Sequence, residues 1–254
     1  MSIDRVTITG ADNSIRPADL LPLTRDFPFV EWGILASEGN TYALGQDGTA
    51  RYPTPQWITD LQDIAETTGE LPKLALHIDG RWVRDLLKGQ ISIPKSLLRG
   101  FARVQLNFHA ARNECEPGQF AQCLRELGRS FIFQFDGEMG NAHFTSIVGR
   151  DVPPCHGLFD TSGGAGVLPG AWPAPIWSRV NPRDADPTPQ FEYHGYAGGL
   201  GPHNLAEQIP RILDAAVGTE STREGRIWID METHVRSQGD TQFDLAKVRR
   251  CLEI

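Results

Sequence analysis

The sequence has no CxxC pair. Its four cysteines, Cys115, Cys123, Cys155 and Cys251, are too widely spaced for a zinc site or a dense disulfide framework. Their use points to a reduced, intracellular protein. There is also no basic run. Scattered Lys and Arg number 24 against 32 Asp and Glu, a net charge of -8, so phosphates would be repelled and a nucleic-acid partner is not expected. No apolar stretch is long enough to cross a membrane, and the opening "MSIDRVTITG" carries no apolar signal core, so a cytoplasmic location without a membrane partner is expected. No glycine-rich turn follows the first strand-like run, where "TGADNS" stands, which counts against an open nucleotide-binding sheet.

What the 254 residues do contain is an alternation of strand-like and helix-like segments. Strands are predicted at 5–9, 29–35, 73–78, 103–108, 131–135, 156–160, 191–197 and 226–230. Helical segments are predicted at 55–69, 80–89, 117–128, 202–218 and 243–254, with Pro117 and Pro202 in first turns and Gly69, Gly128 and Gly218 at ends. About eight strands alternating with helices in a chain of this length predict an α/β (β/α)8 TIM barrel, one domain spanning 1–254. From Val167 to Gln190 the chain is dense in proline, which predicts a long loop after the sixth strand and a short or absent sixth helix.

The period-two pattern within the strands agrees. In "KLALHIDG" Leu74, Leu76 and Ile78 oppose Ala75, His77 and Asp79, and in "RVQLNF" Val104 and Leu106 oppose Arg103, Gln105 and Asn107. In "FIFQFD" the phenylalanines oppose Ile132, Gln134 and Asp136, and in "RIWIDME" the aliphatic residues oppose Trp228, Asp230 and Glu232. One face is apolar, as packing under helices requires. The other becomes more polar toward the C-terminal end, as a site at the barrel mouth requires.

Two glycine clusters follow late strands: "SGGAG" (162–166) after "LFD", and "AGGLGP" (197–202), which runs into a helix. Glycine lets backbone N–H groups approach an anion, and barrels often hold phosphate in this region. "LFDTSGGAGVLPGAW" followed by "YAGGLGPHNLAEQI" resembles phosphoribosylanthranilate isomerase. "ARYPTPQWITDL", "VQLN" and the closing "WIDMETHVRSQGDTQFDLAKVRRCLE" are similar to further segments of that family.

The resemblance implies an isomerase that moves a proton on a phosphorylated sugar or related small anion, with no cofactor and no metal. It implies Asp160 as general acid and Arg51 as a clamp for a substrate carboxylate. Gly163, Gly164, Gly166, Gly198 and Gly199 would form the phosphate cradle, and Asn107 falls at a further substrate-binding position. The family's basic cysteine is here Thr9, and its small phosphate-binding loop after the eighth strand is here "ETHV". A threonine hydroxyl is a far weaker base than a thiolate, so His77 and Glu232 are further candidates for the base. Two alternatives stand beside this reading. One is a metal-assisted lyase, isomerase or hydrolase using Asp230, Glu232 and His234, which alternate and would share one face of an extended segment. The other is a barrel that binds a small anion without turnover.

Overall fold

The computed structural model describes residues 2–42, 50–68, 73–107, 115–135, 154–160, 162, 165–174, 193–217 and 226–254. Eight parallel strands close into a barrel in chain order: β1 (Ser2–Thr9), β2 (Val30–Ala36), β3 (Lys73–Ile78), β4 (Arg103–Leu106), β5 (Ser130–Phe135), β6 (Cys155–Asp160), β7 (Tyr193–Ala197) and β8 (Arg226–Met231). β1 pairs with both β2 and β8, which completes the ring. Among the described residues the α-helices are α1 (Leu21–Asp26), α2 (Pro55–Thr68), α3 (Arg81–Leu87), α4 (Pro117–Leu127), α5 (Leu205–Val217) and α6 (Leu245–Leu252). This is the TIM-barrel class expected from the alternation. Among the described residues no helix is long and apolar enough to cross a membrane.

Most boundaries follow from local chemistry. α4 starts at Pro117, and Gly128 ends it with a left-handed φ of 59°. α6 starts later than expected because Phe243 is taken by a small ladder between β9 (Arg236–Ser237) and β10 (Gln242–Phe243). Asp244 then caps the helix by accepting from the amides of Ala246 and Lys247. α5 also starts later, at Leu205 rather than Pro202. Residues 202–204 form a turn in which the Gly201 carbonyl accepts from Asn204 and Leu205. α1 was not expected from the sequence; its short segment packs where the Trp32 indole N–H donates to Thr24 at 2.9 Å. After β6 no helix forms over the described residues 165–174, while 175–190 of the proline-rich loop lie outside the described residues.

The strand faces divide as the alternation requires. Val6, Ile8, Trp32, Ile34, Leu76 and Phe133 lie in the main core with Trp57, Trp82 and Phe120 of the helices. A second, smaller core of Ile132, Leu158, Ala197 and Trp228 fills the barrel interior. Gly195 makes room for it: a Cβ there would lie 2.1 Å from the Trp228 ring. Gly195→Ala is therefore expected to cost about 1–3 kcal/mol through overpacking, read as a lower denaturant midpoint at unchanged slope. Nearby, Glu31 is fully buried and bonded to Arg103, with Arg5 at 3.0 Å and the Thr7 hydroxyl at 2.9 Å. The Arg103 guanidinium also stacks 4.6 Å from the Trp228 ring centroid.

Candidate active site at the barrel mouth

The C-terminal ends of the strands open into a cavity of about 570 Å³. Asp160 from β6, Asp230 from β8, Gln134 from β5 and Gln105 from β4 line it, with Asp79, Asn107 and Glu232 from the segments just beyond β3, β4 and β8. These are alternate residues on the inward faces, so the polarity gradient along the strands becomes the wall of one cavity. Asp136 lies outside the described residues.

Asp160 ends β6 and turns back on its own loop. Its Oδ1 accepts from the Ser162 amide at 3.0 Å and the Ser162 hydroxyl at 2.6 Å, and its Oδ2 accepts from the Gln134 amide. The carboxylate is thus fixed in direction while lining the cavity. Across the mouth Asp230 is 6 % exposed and accepts from the Thr9 hydroxyl at 2.8 Å. Burial pushes its carboxyl up to about 8, against the Thr9 hydrogen bond and with the charges of Glu232, Asp160 and Glu31 adding to the rise. At neutral pH this group carries a proton.

The other expected residues are placed as follows. Thr9 lies buried beneath the cavity and serves Asp230. His77 is also beneath it, and burial holds its imidazole down to about 3, so it stays neutral. Glu232 is ion-paired with Arg51, not with Arg236, which instead binds Asp12 at 2.6 Å and Asp240 at 2.9 Å. Burial raises the Glu232 carboxyl, with Arg51 opposing that shift. Arg51 has a left-handed φ of 75°, and its Nε contacts Asp240 at 2.6 Å. It lines the cavity with two carboxylates already bound to it. Asn107 lines the opposite wall and accepts from the Gln105 amide at 3.0 Å.

The described glycines of the two loops pack against each other. A Cβ at Gly199 would fall 2.5 Å from the Leu168 amide nitrogen, and one at Gly198 would lie 3.3 Å from the Val167 carbonyl. The Gly201 amide donates to Asn204 Oδ1 at 3.0 Å. His234 bridges the loops: its Nε2 lies 2.9 Å from the Gly166 carbonyl, and its Cβ abuts Gly201. Gly163 and Gly164 lie outside the described residues. The shared extended face expected for Asp230, Glu232 and His234 does not form, because the chain turns into a single 3-10 turn at Thr233–Val235. Their side chains go to Thr9, Arg51 and Gly166. Among the described residues no group of three or more His, Cys, Asp or Glu is arranged to hold a metal ion.

The sequence marks Asp230 as a lumen-facing acid and a candidate metal ligand, but not as an acid–base group. The signal available was its place on the inward face, one step above Trp228; the Thr9 contact that makes it distinctive spans 221 residues.

Fold and cavity define an α/β barrel with an acidic, hydrogen-bond-rich pocket at the C-terminal mouth. In fold the chain is similar to the structure of N-(5'-phosphoribosyl)anthranilate isomerase from Pyrococcus furiosus. The TM-score is 0.51 and the identity 14%, over 98% of this chain and 96% of that one. No protein-family model matches the chain, and no curated protein matches it in sequence.

Proposed function

We propose that the chain is a proton-transfer enzyme of the isomerase type, with Asp230 and Asp160 as its acid–base pair. The carrying observation is that Asp230, buried and pushed up to about 8, lines the same cavity as the hydrogen-bond-fixed Asp160. A carboxyl near 8 holds a proton at working pH yet releases it readily, as a general acid must. Asp230 donates to the carbonyl (or imine) side as Asp160, here the base rather than the acid the resemblance implies, takes the proton from the neighbouring carbon. Asp160 then delivers a proton to the former carbonyl carbon while Asp230 recovers one from the hydroxyl on the neighbouring carbon, which restores both groups and leaves the isomer. Thr9 positions Asp230 by occupying its Oδ1, which leaves Oδ2 to carry the proton. Neutral, buried His77 has no part in this transfer.

The substrate class is a small hydroxylated carbonyl compound or its amino derivative, phosphorylated or carboxylated. N-(5'-phosphoribosyl)anthranilate is the first to test, because the fold neighbour is an isomerase of that compound. Arg51 serves as anion clamp only by exchanging Glu232 or Asp240 for the ligand. Gly166, Gly198 and Gly199 serve as cradle only through amides that their close packing leaves accessible.

The test is incubation in D2O with that aminoaldose phosphate and with unsubstituted aldose phosphates, scored by NMR for product and for deuterium at the substrate carbon. Asp160→Asn is expected to slow exchange by roughly 10²–10⁴-fold. Wild-type protein that exchanges no substrate proton, or an Asp160→Asn variant as fast as wild type, overturns the proposal.

A further inference from the structure

On the β3–β4 side, one residue of the cavity floor and one beneath it each carry a buried polar atom with no hydrogen-bond partner among the described residues. Gln105 is 4 % exposed and lines the cavity, yet its buried Oε1 has no donor among the described residues. Its amide nitrogen donates to Asn107 at 3.0 Å, so nitrogen lies toward Asn107 and oxygen away from it. His77, its register partner on β3, is 2 % exposed, and its Nε2 likewise has no partner. Such groups are rare in folded proteins because each forfeits roughly 1–3 kcal/mol of hydration. An apolar residue at 105 would avoid that cost, as Leu158 and Ile132 do elsewhere in the lumen.

We infer that Gln105 is the specificity-determining acceptor for a substrate hydroxyl, in a subsite bounded by Asn107, Asp79 and Arg84. This rests on the cavity being the substrate site, as proposed above, but not on the acid–base roles. Rotation of the terminal amide torsion is soft, so Oε1 can meet a donor lodged on the floor. Tyr52 donates to Asp79, so that carboxylate is already engaged on one side. Arg84, which lines the rim, is the cation beside it. A hydroxyl fits this floor better than a keto oxygen, because it donates to Gln105. A site built to bond a hydroxyl rejects the analogue lacking it, since the buried acceptor is then left unpaired.

The experiment measures binding without turnover, by ligand-observed NMR with ribitol 5-phosphate, ribose 5-phosphate and 2-deoxyribose 5-phosphate, and glutarate as a hydroxyl-free control. Wild type is expected to bind a hydroxylated probe saturably and glutarate at least tenfold more weakly. Gln105→Met, close in size but without the acceptor, is expected to weaken the hydroxylated probe about three- to tenfold, leave glutarate unchanged, and melt no lower than wild type. Gln105→Glu keeps an acceptor at that place and is expected to retain most of the affinity. Equal probe binding by wild type and Gln105→Met overturns the inference, as does an equal loss in Gln105→Glu and Gln105→Met. Absence of saturable binding of every hydroxylated probe by wild type overturns it too. If Asp160→Asn keeps full turnover while Gln105→Met still loses the probe, the acid–base reading fails and the subsite stands.

Discussion

Asp230→Asn is expected to abolish most turnover, by roughly 10²–10⁴-fold, and at the same time to make the protein more stable at alkaline pH. The two effects share a cause. The folded protein holds the Asp230 proton up to about pH 8, whereas the unfolded chain releases it near 3.8. A carboxyl with its folded pKa raised contributes stability that is full below about pH 4 and is lost as pH rises to about 8. The slope in that window approaches ~1.4 kcal/mol per pH unit. Asparagine has no proton to lose, and its amide oxygen still accepts from Thr9. Denaturant melts at pH 5, 6, 7 and 8 should show the variant gaining on wild type as pH rises. Parallel profiles would mean that Asp230 is ionised in the folded protein, and the acid role would fall with that result.

Arg103→Met is expected to destabilise the fold by about 3–5 kcal/mol, because it strands Glu31 in the lumen. Desolvation pushes the Glu31 carboxyl up, but the Arg103 charge and hydrogen bonds, with Arg5 and Thr7, outweigh it and hold the group below its ordinary value. The pair's contribution is therefore present above about pH 4.5 and is lost as pH falls through the lowered value. Removing one partner leaves a buried charge with less compensation. Removing both, as Glu31→Gln with Arg103→Met, should recover most of the loss, and a double-mutant cycle measures the coupling. A single variant with wild-type stability would show that Arg5 and Thr7 alone satisfy Glu31.

The barrel was legible because its signals are local. Period two in "KLALHI" and "RIWID", and the punctuation by Pro117 and Gly128, need no knowledge of distant residues. The inward placement of Arg103, Gln105 and Asp230 follows from the same pattern. The partners of those residues were not legible. Glu31 sits in a strand buried along its whole length, so no alternation marks it as the mate of Arg103, 72 residues away. Glu232 has Arg236 four residues away in sequence, whereas its mate is Arg51, from the segment after β2. The glycine clusters suggest accessible amides by composition alone. In the fold Gly199 instead allows the close approach of Leu168, and His234 stands between the loops.

Thr9 and Asp230 lie on the two strands that close the ring, and their contact is accompanied by others of similar span. Arg236 reaches the Gly10 carbonyl and Asp12 over 226 and 224 residues, the Phe243 amide donates to Ser14 over 229, and Arg249 meets Asp26 over 223. Contacts of such sequence separation carry the largest loop-closure entropy and form late on a folding route. The proton-holding carboxyl therefore acquires its environment only when the two ends of the chain meet. A ring open at the β1–β8 seam would retain many strands and helices, but Asp230 would titrate there as an ordinary aspartate. Its pKa thus reports on completion of the barrel as well as on the chemistry at its mouth.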